Sequence, residues 1–242
     1  MPVRRGVVVA VEGIAGAGKS TIVARASARF GWVPLAEAYD RLDPRPRIGV
    51  RTAAALERVE RCLLAEEERR YVQARALSAR GVTVVADTGF FGPLTYAAGL
   101  AALGELPVAV VRRLVARARR GAAAGRWGAP DAVVYLETAA ATRRRRRAAD
   151  PTRHPPRQMA RHERVGSFEA RFFTATLAAA LPGRVHRLRA DRAVGPIVGD
   201  LGRTVRRLRP LDGAAAAPRL LDLLWAGVRS DGRSPRTLGG NR

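Results

Sequence analysis

The chain has 242 residues, 47% apolar but only 5% aromatic, which suits one domain or one and a half with an alanine-, valine- and leucine-rich core. Forty-four basic residues against 21 acidic ones give a formal charge of +23, pointing to a polyanionic partner: a nucleic acid or a small acidic ligand such as a nucleotide. The lone Cys62 excludes an intrachain disulfide and a cysteine zinc site, His154, His162 and His186 lack metal-ligand spacing, and no apolar run is long enough to span a membrane.

In chain order, Val7 to Val11 is a short β-branched run bounded by glycines, the pattern of a buried strand in a parallel sheet. It is too short for a secretory h-region and ends at Glu12, so a cytoplasmic protein is expected. A helix should follow over 20–30, then an edge strand at 32–35 containing Pro34. A proline-rich loop leads to a long helical pattern over 53–80, stopped by Gly81. The third strand covers 82–87, with helices over 93–103 and 108–124 after it. The fourth strand is 132–137, and a helix over 138–147 begins with Thr138 as N-cap. A polar loop over 148–156 precedes a helix over 158–181, a fifth strand at 184–188 and a helix over 194–208. Strands alternating with helices predict a parallel sheet of five strands covered on both faces. Beyond Pro210, residues 211–218 have the composition of a linker, 219–228 that of one short amphipathic helix, and 230–242 that of a disordered tail.

Gly13-x-x-x-x-Gly18-Lys19-Ser20 fits the phosphate-binding P-loop, with a strand before it and a helix after. Glycines let backbone N–H groups turn inward and approach phosphate oxygens. The helix adds its positive N-terminal end. Residues Gly13, Ile14, Ala15, Gly16, Ala17, Gly18, Lys19, Ser20 and Thr21 are therefore expected to hold a nucleotide, Lys19 at the β- and γ-phosphates and Ser20 at Mg²⁺. Lys19 is the sole lysine; the other 43 basic residues are arginine, from 44 in all. A compact ammonium enters such a cradle where a wide, planar guanidinium fits poorly.

The stretch "VVVAVEGIAGAGKST" resembles the opening of thymidylate kinases and deoxynucleoside kinases. "DTGFFGPLTYAAG" (87–99) is similar to the thymidylate kinase segment that begins Asp-Arg-Tyr, with Asp87, Tyr96 and Gly99 in matching places. "PDAVVYLETAAATRRRRR" (130–147) resembles the unit leading into the arginine-bearing lid, and "LRADRAVGPIVGDL" (188–201) the adenine-side loop around Asp191 and Arg192. The resemblance implies a three-layer α/β P-loop NTPase fold over residues 1–209, with a lid at about 143–157 and a C-terminal extension over 210–242. Two departures fall on the acceptor side. Thr88 replaces the Arg of the Asp-Arg motif, and the Glu-Pro stretch after the second strand survives only as "AEAYD" (36–40).

On this resemblance Glu37 is the general base, with Asp40 second to it; the alternative is a loop carboxylate paired with Arg41. Asp87, at a strand end on the ligand-binding edge, should lie near Mg²⁺ or else cap the next turn. One or two of Arg143 to Arg147, with Arg143 and Arg147 singled out, should close over the nucleotide, Arg153 being a further candidate. Asp191 belongs to the adenine side. One of Arg41, Arg45, Arg47 and Arg51 is a candidate to replace the missing arginine at 88, and Phe90, Phe91 and Tyr96 either stack on an acceptor base or join the core. The expected activity is transfer of the γ-phosphoryl group of ATP–Mg²⁺ to a nucleoside, a nucleoside monophosphate or a similar small acceptor. A same-fold kinase for a non-nucleoside alcohol, such as a metabolite or antibiotic, is the first alternative. A nucleotide-dependent nucleic-acid-binding or regulatory ATPase is the second. The partners expected are thus ATP and a small acceptor, with nucleic acid secondary, a homodimer compatible and no membrane.

Overall fold

Val8–Glu12 (β1), Val84–Asp87 (β3) and nearly all of Ala132–Glu137 (β4) are buried along their length, whereas Val33–Leu35 (β2) and Val185–Arg189 (β5) are partly exposed. That split follows from the sheet, whose five parallel strands run in the order β2-β3-β1-β4-β5 and so put β2 and β5 at its edges. The computed structural model describes residues 5–46, 52–150 and 156–231. Pro34, lacking a backbone donor, is tolerated on an edge strand as expected.

Alternation along β1 divides the core. Val8 and Ala10 face a large cluster with Leu64, Phe90, Leu94, Val111 and Trp127, while Val9 and Val11 face Ile22, Val23, Ala26, Ile197 and Leu201. The second face is covered by helices Lys19–Phe30 (α1) and Val194–Arg207 (α9). The first is covered by Ala53–Ala79 (α3), Gly92–Ala102 (α4), Val108–Ala123 (α5) and Pro156–Arg171 (α7). A one-turn helix, Ala38–Arg41 (α2), follows β2; its four residues are too short for a periodic pattern to announce.

Three details depart from the sequence reading. The stretch taken for a linker is helical from Gly213, and the helix Gly213–Asp231 (α10) buries Ala217, Leu220, Leu221, Leu224 and Val228 in the large cluster. Packing against α5 and α4 overrides the disfavour of Pro218 inside it. The helix after β4, Ala140–Ala148 (α6), is capped by Ala139 without a side-chain bond, so Thr138 is not the N-cap. The Ala139 N–H instead donates to Asp191, and the Thr138 hydroxyl turns to the Ala17 carbonyl at 3.5 Å. The helix expected over 158–181 widens into a π-turn at Phe172–Thr176 before a last turn, Leu177–Ala180 (α8). The wider turn lets adjacent Phe172 and Phe173 both bury, one against Phe91 and the other against Tyr135. The tail over 232–242 lies outside the described residues.

Gly99 lets α4 pack tightly on α7: a Cβ there would stand 2.6 Å from Val165 Cγ1. Gly99→Ala is expected to cost about 1–3 kcal/mol by overpacking. Denaturant unfolding of the two proteins checks this; equal midpoints would show that the helices part freely.

Candidate nucleotide and acceptor site

The loop between β1 and α1 sits at the carboxyl ends of the strands, where open α/β sheets bind ligands. Gly16 and Gly18 adopt φ of 84° and 97°, the left-handed region that leaves N–H groups facing inward. Lys19 Nζ donates to the Gly13 carbonyl at 2.8 Å, spanning the loop from its far end to its start. Ser20 occupies the first turn of α1 and lines the same cavity.

The arginine run is sorted by the helical fan of α6. Arg144 and Arg145 are exposed. Arg143 and Arg147, one turn apart, are buried and both ion-pair with Glu163 of α7, while Arg147 Nη1 also donates to the Ala15 carbonyl at 3.2 Å. Arg146, which the sequence did not distinguish, lines the cavity and donates to the carbonyls of Ala17 and Ala190, both at 2.8 Å. Arg143 and Arg147 thus brace the phosphate loop, and Arg146 is the member beside the cavity. Arg153 lies outside the described residues.

Asp87 ends β3, 5% exposed, and its Oδ1 has no hydrogen-bond partner among the described residues. A buried carboxylate oxygen beside a phosphate loop, with a serine in the first helical turn, is a donor set that suits Mg²⁺. The next residue, Thr88, has φ 63°, an outlier for a β-branched side chain. Arg70 of α3, fully buried, holds this corner: its Nη2 donates to the carbonyls of Leu35, Asp87 and Thr88 at 3.4, 2.9 and 2.9 Å, and its Nη1 pairs with Glu67. One side chain therefore ties the ends of β2 and β3 together.

Glu37 follows β2 and lines the cavity. Burial raises its carboxyl above the ordinary carboxylate range, opposed by Lys19 and reinforced by Asp87 and Asp40. Arg41 does not pair with it, bonding Glu66 instead at 2.7 Å. Arg45 pairs with Asp40 and lies over the Tyr39 ring, while Arg47 and Arg51 lie outside the described residues. Tyr96 reaches the cavity and stacks near His162 at 5.0 Å. Phe90 and Phe91 do not reach it: both are fully buried, edge-on to Tyr71 and Trp127, because the core beneath α4 takes them. Asp191 is likewise committed, accepting from Ala139 N at 3.0 Å, and so joins the loops after β4 and β5.

Several carboxylates were missed. Glu12 accepts from Gly89 N at 2.6 Å, and burial pushes its carboxyl up to about 8 against the pull of that bond and of Lys19. Glu60 of α3 and Glu169 of α7 also line the cavity, raised by burial to about 8 and about 7. A signal existed: Leu56, Glu60, Leu64, Glu67, Arg70 and Ala74 share the inner stripe of α3, so the charges interrupt an apolar face.

No protein-family model and no curated protein matches the chain. Solved structures do. The deoxyadenosine kinase of M. mycoides with bound dATP superposes with a TM-score of 0.67 at 15% identity, over 83% of this chain and 99% of that one. The same enzyme with dCMP and dCDP gives 0.64 at 14% identity, over 82% and 98%. Thymidylate kinase from Candida albicans gives 0.58 at 10%, over 84% and 92%. The chain has the P-loop nucleoside and nucleotide kinase fold. The expected five-stranded parallel sheet is in place, with the glycine-rich loop between β1 and α1. Among the described residues, no helix is long and apolar enough to cross a membrane.

Proposed function

We propose that the protein is a phosphotransferase moving the γ-phosphoryl group of ATP to the hydroxyl of a small acceptor. The observation that carries this reading is one continuous cavity of about 1470 Å³ joining Lys19 and the phosphate loop to Glu37, Glu60 and Tyr96. Single-ligand pockets run to roughly 1,000 Å³, so this cavity has room for a donor and an acceptor together. The solved nucleoside and nucleotide kinases of the same fold support it. Lys19 binds the transferring phosphates, Arg146 approaches them from α6, and Ala190 lines the adenine side, with Asp191 holding the loop behind it through Ala139 N. Ser20 and Asp87 would hold Mg²⁺, which when bound supplies positive charge at the phosphates. Glu37 orients the acceptor hydroxyl and takes its proton.

A hydroxyl acceptor suits Glu37, whose carboxyl burial raises toward the range of a useful base beside the cavity. Radiolabelled γ-phosphoryl transfer to a panel of nucleosides, nucleoside monophosphates and amine-bearing alcohols tests the reading. Slow ATP hydrolysis without transfer to any acceptor would refute it. Glu37→Gln should lower kcat about 10²-fold or more, with little change in ATP affinity. Unchanged turnover would move the role to Asp40 or remove the need for a base.

A further inference from the structure

The protein carries a formal charge of +23, yet the wall facing its acceptor space is acidic. Glu12, Glu37, Glu60 and Glu169 line it, and Asp40 stands at its rim beside Arg45. Among the described residues, seven of the chain's 21 acidic residues line the cavity against five of its 44 basic ones.

Glu60 is the most informative. It is 3% exposed, projects from α3 to the cavity, and its Oε2 has no hydrogen-bond partner among the described residues. The charged neighbour acting on it is Glu169, another carboxylate. Arg161 and Arg164, on the same cavity, both bond Glu105, Arg161 Nε at 2.9 Å and Arg164 Nη2 at 2.5 Å, and Arg161 also acts on Tyr96. A buried carboxyl whose charged neighbour is a second carboxyl calls for a positive or donating group from a ligand. Tyr96, which feels both carboxylates, adds a hydroxyl at the same place. Among the described residues no three metal-ligating side chains converge, so the gap is not shaped as a metal cage.

We propose that the acceptor is a cationic alcohol, an amine-bearing polyol whose ammonium lies between Glu60 and Glu169 while a hydroxyl is presented to Glu37. An ammonium has three donors and no acceptor, which matches two carboxylates and a phenolic oxygen. Lys19 keeps the other end of the cavity positive, so the two substrates are sorted by charge: the phosphates to the loop, the amine to α3 and α7. In the transfer the acceptor oxygen forms a bond to the γ-phosphorus as the bond from that phosphorus to the β–γ bridging oxygen breaks. ADP leaves and the hydroxyl proton passes to Glu37.

This inference rests on the phosphotransferase reading, and one experiment separates them. Transfer from γ-labelled ATP is measured to matched acceptors: glucosamine, 2-deoxystreptamine and kanamycin, their N-acetylated counterparts, thymidine and 2′-deoxyadenosine. The expected result is transfer to an amine, with kcat/KM at least about 10-fold above that of its N-acetyl partner, a difference typical of one charged hydrogen bond. Glu60→Gln should raise KM for the amine about 10-fold or more while leaving kcat and ATP affinity nearly unchanged, and Glu169→Gln should act in the same direction. Transfer to nucleosides but not to amines, or an amine preference that survives both substitutions, would overturn this inference and leave the phosphotransferase reading standing. No transfer to any acceptor would overturn both.

Discussion

Lys19→Arg is expected to reduce phosphoryl transfer by about 10²-fold or more, although it preserves charge. The loop packs closely against α6: a Cβ on Gly16 would lie 3.0 Å from Arg147 Cγ, and one on Gly18 would lie 3.3 Å from Arg146 Nη1. Lys19 reaches the Gly13 carbonyl along a slender stem, so its charge enters the cradle end-on. In a chain whose other basic residues are all arginine, a guanidinium was the default at this position, and it was not used. Labelled-phosphate transfer, paired with binding of a fluorescent ATP analogue, tests the claim. Near-normal kcat in the variant would refute the cradle.

Arg70→Leu should be the most destabilising single change predicted here, at about 3–5 kcal/mol, because it strands the buried Glu67 carboxyl and frees three carbonyls at once. Thr88, held at φ 63° with its carbonyl accepting from Arg70, would lose the contact that offsets its strain. A fall in Tm of roughly 6–20 °C is expected from the scaling for domains of this size. The double variant Arg70→Leu/Glu67→Leu should recover part of that loss, since no charge is then left alone. A single variant as stable as the parent would show that water reaches this corner and replaces the guanidinium.

The sheet was readable because Val7 to Val11, Val84 to Ala86 and Ala132 to Leu136 are apolar runs whose burial on both faces demands continuous apolar sequence. The glycine-rich loop after β1 was readable because Gly16 and Gly18, at φ 84° and 97°, answer to local backbone geometry rather than to distant neighbours. What failed to show depends on distant partners. Arg146, and not Arg143 or Arg147, faces the cavity because Glu163 lies on α7, far along the chain. Phe90 and Phe91 are core because Tyr71 and Trp127 meet them from other helices. Glu60 and Glu67 were hidden in plain view on an apolar helical stripe, where a charge is meaningful only once the opposite wall is known. Residues 213–218 are helical because Asp212 Oδ1 accepts from Ala215 N at 3.1 Å at the start of the helix and the large cluster takes its apolar face.

That last helix bears on how the protein is made. Asp131 Oδ2 accepts from Val8 N, and its Oδ1 accepts from Arg75 and from Leu211 N, so one carboxylate joins the start of the sheet to the entrance of α10. All five strands can exist on a growing chain while the bed of Trp127, Leu114 and Val111 still lacks the cover of Leu220, Leu221 and Leu224. During synthesis the nascent sheet therefore carries an open apolar trough until about residue 228 has left the ribosome, an interval in which aggregation competes with folding and a chaperone has a defined place to bind.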